Sequence, residues 1–77
     1  MPEITQTLDV TADICPMTFV RTRLALDRLN SGDILAVRLR GEDPLRNISR
    51  SATALGHTLT GTSDLPDGVT ELLIRKA

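Results

Sequence analysis

Cys15 and His57 are the only cysteine and the only histidine in 77 residues, so nucleophilic or acid-base chemistry has few places to reside. Cys15 is followed by Pro16. The pair stands where a polar loop, Thr11-Ala12-Asp13, gives way to a stretch free of glycine and further proline as far as Leu29. Proline suits the first helical position, where its missing N–H costs nothing, so Cys15 is read as the N-cap of a helix. First-turn N–H groups have no partner inside the helix and point outward. The macrodipole adds partial positive charge there. Both favour the thiolate, the nucleophilic form, and lower the thiol pKa. A lone cysteine is more often a buried small apolar side chain. The loop-to-helix junction before Pro16 argues for the surface instead.

The chemistry open to such a cysteine is narrow. There is no C-x-x-C pair for disulfide exchange. A hydrolase would need a base nearby, and His57 reads as an exposed residue at the end of a loop. What remains is covalent carriage, in which the thiol accepts a group, holds it and passes it on. A persulfide sulfur fits a site with neither base nor pocket. One Cys and one His do not supply a zinc site, so no metal and no cofactor are expected.

Composition narrows the classes further. Nine Lys+Arg stand against ten Asp+Glu, a formal net charge of −1. Nucleic-acid and anionic-membrane surfaces call for a basic excess, so neither partner is expected. With no Trp or Tyr and one Phe, no aromatic platform for bases can be built. No apolar run approaches the roughly 18–20 residues of a membrane span. Residues 1–8 lack the basic-then-apolar pattern of a signal peptide. A single cytoplasmic domain over residues 1–77, acting as a monomer with larger partners, is the expectation.

The elements that must position Cys15 follow from periodicity. Thr5 to Val10 reads as a first strand. The helix opened by Cys15-Pro16 runs from Met17 to Leu29, with Phe19, Thr22, Ala25, Leu26 and Leu29 on the stripe facing a sheet. Asn30-Ser31-Gly32-Asp33 ends it. Ile34 to Arg40 is a second strand, with Leu35, Val37 and Leu39 pointing one way and Arg38 and Arg40 the other. Asp43 as N-cap and Pro44 at the first position start a second helix. Leu45, Ile48, Ala52 and Leu55 form its apolar face, and Gly56 stops it. His57 to Thr62 is a third strand, 63–68 a turn around Pro66-Asp67-Gly68, and Val69 to Arg75 a fourth strand. The order β-α-β-α-β-β predicts a two-layer α/β sandwich, a four-stranded mixed sheet with two helices on one face.

The first helix carries a second apolar stripe. Met17, Val20 and Leu24 lie opposite Phe19, Thr22 and Leu26. Exposed apolar residues beside a reactive group suggest docking. Arg21 and Arg23, within two turns of Cys15, would attract an acidic partner rim or steady a persulfide anion.

Leu8-Asp9-Val10 followed by Cys15-Pro16-Met17-Thr18 resembles the start of TusA/SirA-like sulfurtransferases, where an L-D-x-x-G-x-x-C-P-x-P run leads into a helix. Gly41-Glu42-Asp43-Pro44, Gly56-His57 and Leu73-Ile74-Arg75-Lys76 resemble later family positions in the same order. The resemblance covers nearly the whole chain. It implies a fold like the C-terminal domain of translation initiation factor three. It implies that Cys15 takes persulfide sulfur from a cysteine desulfurase or a rhodanese-like donor and relays it to an acceptor protein. Family destinations are tRNA thiolation, molybdenum-cofactor assembly and sulfur oxidation. Two positions depart from the pattern. The second motif proline is Thr18, which with Pro16 must support the helix N-terminus and leaves the first turn less rigid. Ala12 and Asp13 occupy the region of the family glycine, and Asp13 would oppose a thiolate by like-charge repulsion. The alternative is a non-catalytic interaction or regulatory module of the same fold.

Overall fold

A computed structural model describes residues 4–14 and 17–77. The elements follow the order β1 (Gln6–Asp9), α1 (Met17–Asp27), β2 (Ile34–Arg40), α2 (Glu42–Ala54), β3 (Thr58–Asp64) and β4 (Val69–Arg75), with a 3-10 turn, Pro66–Gly68, between the last two. The sheet order is β1-β2-β4-β3. β1 runs parallel to β2, and β4 is antiparallel to both β2 and β3. The predicted four-stranded mixed sheet is the one found.

Topology explains why both helices share a face. β1-α1-β2 and β2-α2-β3 are crossovers between parallel strands, and both step in the same direction across the sheet. Crossovers of one hand stepping one way put their helices on one side. α1 and α2 pack on each other and both pack on β2. Period-two alternation then sets the core: Leu35, Val37 and Leu39 of β2 lie in one apolar cluster with Leu72 and Ile74 of β4, Ala25 and Leu26 of α1, and Ile48 and Ala52 of α2. The register places Leu35 opposite Ile74 and Val37 opposite Leu72.

Leu35 has no exposed surface and sits in a central strand. Leu35→Ala removes buried methyl groups and leaves a cavity, a change that costs about 2–5 kcal/mol. A domain of this length has roughly 4–11 kcal/mol in all. Urea unfolding is expected to show a large drop in midpoint; a loss below about 1 kcal/mol would contradict the core assignment.

Several sequence expectations are corrected. α2 starts at Glu42, with Gly41 as N-cap at φ 98° and no side-chain cap, so Asp43 and Pro44 are its second and third residues. Proline is tolerated there because first-turn N–H groups have no intrahelical acceptor. Leu55 is exposed, whereas Leu45, Ile48 and Ala52 face the core. On α1 the buried residues are Thr18, Thr22, Ala25 and Leu26, with Phe19 half-buried. The inward face is thus the predicted one at Thr22, Ala25, Leu26 and Leu29, with Thr18 added to it and Phe19 at its edge. Thr22 donates its hydroxyl to the Thr18 carbonyl at 2.7 Å, which satisfies it on the buried face.

His57 is buried rather than exposed. Its N–H donates to Ala52 O at 3.0 Å, and its Nδ1 accepts the Ala77 N–H at 3.0 Å. Gly32 N–H to Lys76 O and Lys76 N–H to Asp33 O, each 2.8 Å, tie the same segment to the approach to β2. Burial pushes the His57 pKa below its ordinary value, the charge of Lys76 adds to this, and Asp27 opposes it. The folded protein therefore binds the proton less readily than the unfolded chain. The neutral ring's contribution is complete above about pH 6.5 and is lost as pH falls from there through the folded pKa. Denaturant midpoints measured across this range are expected to fall more in the parent than in His57→Gln, whose amide oxygen can still accept the Ala77 N–H. Parallel curves would refute the linkage.

Candidate functional site

The candidate site is built where β1 hands over to α1. Asp9 ends β1, and its carboxylate accepts the Thr11 N–H at 2.9 Å and the Thr11 hydroxyl at 2.7 Å. These bonds, helped by Arg38 and Arg21, hold the Asp9 carboxyl below its usual range. The Val10 N–H donates to Arg38 O at 2.8 Å, which continues the parallel pairing, and Val10 is buried in the core. Asp13 N–H returns to Val10 O at 3.1 Å. Two successive turns therefore carry the chain off the sheet. Met17 N–H donates to Ile14 O at 2.8 Å where the chain enters α1. Cys15 and Pro16 lie outside the described residues.

Around this junction the apolar residues face outward. Met17, Val20 and Leu24 are exposed, Leu24 to 55%. Ile14, next to Cys15 in sequence, is 80% exposed. Ile14 was not singled out by the sequence reading; the signal was an apolar side chain in an otherwise polar loop directly before the cysteine. Met17, Val20 and Leu24 line the outer side of α1 from its first turn to its third. α2 differs, since its outward positions are mainly polar or charged. Thr18, assigned with Pro16 to support the helix start, has its side chain on the buried face of α1. Arg21 and Arg23 are exposed.

Arg21 is engaged. Its Nη1 donates to the Asp13 Oδ2, forming an ion pair across the loop-to-helix junction. Asp13 thus does not present an isolated negative charge, and Arg21 is not an isolated cation. Arg21 also borders a shallow groove of about 210 Å³ with Arg28, Leu24, Ala25 and, from β1, Gln6 and Leu8. Among the described residues no group of three or more His, Cys, Asp or Glu could hold a metal. No described helix is long and apolar enough to cross a membrane.

The chain matches the family model described as Sulfurtransferase TusA over residues 6–76. It is 32% identical over 74 residues to a "Putative sulfur carrier protein" of Archaeoglobus fulgidus, covering 96% of this chain and 84% of that one. A protein of the same description from Methanocaldococcus jannaschii is 44% identical over 52 residues, covering 68% of this chain and 69% of that one. The crystal structure of a SirA-like protein from Desulfitobacterium hafniense superposes with a TM-score of 0.83, covering 92% of this chain and 96% of that one at 24% identity.

Proposed function

Since this chain belongs to the TusA/SirA-like sulfurtransferase family, we propose that it is a sulfur carrier whose Cys15 holds the sulfur as a persulfide. The observation that carries the reading is the single Cys-Pro dipeptide, Cys15-Pro16, directly before α1 and inside the matched residues. The chemistry is a sulfur transfer between thiols. The Cys15 thiolate attacks the outer sulfur of a donor persulfide. The donor's S–S bond breaks, the donor leaves as a thiolate, and a new S–S bond forms on Cys15. No net oxidation occurs. The reverse sequence, with an acceptor thiolate attacking the outer sulfur on Cys15, unloads the carrier.

A cysteine desulfurase or a rhodanese-like protein is the proposed donor, in a reducing cytoplasm, and a further protein thiol is the proposed acceptor. tRNA thiolation, molybdenum-cofactor assembly and sulfur oxidation are the proposed destinations. Met17, Val20 and Leu24, flanked by Arg21 and Arg23, form the proposed docking surface. Their exposure on an otherwise well-packed helix supports this role. The same exposure favours a second reading, a regulatory module that docks by this face without carrying sulfur.

Intact-mass analysis separates the two. After incubation with a cysteine desulfurase and cysteine, the chain is expected to gain one sulfur atom, removable by reductant. No adduct from that donor or from polysulfide would overturn the carrier reading and leave the docking module.

A further inference from the structure

The chain after β4 is tied down at each residue. Gly32 N–H donates to Lys76 O and Lys76 N–H to Asp33 O, each at 2.8 Å, so residue 76 is laced to the turn between α1 and β2. Beyond it the Ala77 N–H donates to His57 Nδ1 at 3.0 Å. The first two bonds end on backbone carbonyls, which accept at any ordinary pH. The third ends on a ring nitrogen that can be protonated. His57 is 9% exposed, and its own N–H donates to Ala52 O at 3.0 Å, which fixes its backbone at the exit from α2. Lys76 and Ala77 also wall a shallow cavity of about 250 Å³ whose other lining residues are Ser31, Gly32, Thr58 and Arg75.

Because Nδ1 accepts, the neutral ring carries its proton on Nε2. A second proton has to go to Nδ1. There it would face the Ala77 N–H, donor against donor, and the bond is lost. It would also place a cation in a buried position. Lys76, next to Ala77, disfavours the added charge, and Asp27 at the end of α1 favours it. The last turn of α2, Ser51 to Ala54, and Thr58 of β3 bring no charge. Asp33 in the α1–β2 turn already accepts the Asn30 N–H at 2.9 Å, and Arg75 at the end of β4 is exposed.

We infer that residues 76 and 77 are a proton-sensitive strap: with His57 neutral the Ala77 N–H is tied to the ring and the strap lies against the cavity, and protonation of His57 unties it from Ala77 inwards. Neither state of the strap depends on sulfur chemistry at Cys15. The opening is local, unlike the stability linkage of His57, and leaves the sheet and both helices folded. With the strap open, His57 takes a proton as readily as an exposed histidine. Opening therefore grows as pH falls below about 6.5.

NMR on the ¹⁵N-labelled full chain tests this. Ring nitrogen shifts report the protonation of His57. Amide exchange with water, taken relative to the intrinsic rate at each pH, reports the strap. As His57 takes its proton, protection of the Ala77 amide is expected to fall about fivefold, the factor that one ordinary hydrogen bond supplies. Its proton shift should move upfield with the same midpoint. Amides inside the β2–β4 pairing keep their protection. In His57→Gln the acceptor does not titrate, so the Ala77 amide should behave alike across the range. A constant Ala77 shift and protection while His57 titrates would overturn the strap. So would loss at Ala77 only in step with the amides of the sheet, which would mean global unfolding. Should His57→Gln fail to fold, the titration of the parent chain alone decides between these results.

Discussion

Cys15→Ser is expected to lose all loading with sulfur, from a protein donor and from polysulfide alike, while the fold stays as stable as before. The loss is total because the step is the formation of an S–S bond, which a hydroxyl oxygen cannot make. The serine hydroxyl also stays protonated at neutral pH, so it offers no nucleophile of comparable strength. Folding is spared because the substitution changes a single side-chain atom and touches none of the core residues. A normal urea midpoint together with a blank mass spectrum is therefore the expected pair of observations. A sulfur adduct that persisted in the variant would mean that the sulfur is bound elsewhere or non-covalently, and the carrier reading would have to be abandoned.

The second large effect concerns how a donor finds the cysteine. Replacing Val20 and Leu24 together by glutamine removes two exposed apolar side chains from α1 without adding charge. Glutamine is a good helix former, so the helix itself is preserved. Loading by a cysteine desulfurase at limiting concentration is expected to slow by about tenfold or more, the scale set by losing apolar anchors from a protein interface. Loading by polysulfide, which needs no docking, should be unchanged. The contrast between the two donors is the measurement. Equal rates for parent and variant with the protein donor would remove this stripe from the interface, and slowing with both donors would point to damage at the cysteine itself.

The elements that sequence periodicity located best are those with the strongest patterns. β2 and β4 have the predicted ends, Ile34 to Arg40 and Val69 to Arg75. Both are rich in aliphatic residues, and they pair with each other at the centre of the sheet. β3 was less legible. It is an edge strand rich in Thr, Ser and Gly with every residue exposed, so no face is marked by burial, and it runs to Asp64 beyond the predicted Thr62. The start of α2 was misplaced because Asp43 and Pro44 both fit a helix start, while Gly41 takes the N-cap by virtue of its positive φ. His57 was misjudged because its partner Ala77 is 20 residues away and reaches it only once β3 and β4 are paired.

At the candidate site, the outward apolar stripe of Met17, Val20 and Leu24 could be read from local spacing. The contact between Asp13 and Arg21 could not. The two are eight residues apart, beyond the i,i+3 and i,i+4 neighbours that a helix makes predictable, and one of them precedes the helix. Sequence reading therefore assigned each charge its own separate effect on the thiol. The structure shows that the charges first answer each other.

The irregular pairing of β3 bears on how the chain behaves when crowded with copies of itself. Leu59 pairs with Ile74 and Gly61 with Leu73, so Thr60 is an extra residue that breaks the ladder. On the far side of the sheet, β1 spans four residues. Fibril-forming stacking feeds on flat, uninterrupted segments of about six or seven residues with high strand propensity. β3 offers two residues before its break and four after it, ending in Asp64. A bulge twists an edge away from an incoming strand. Both open margins of the sheet are thus poor templates for runaway self-pairing.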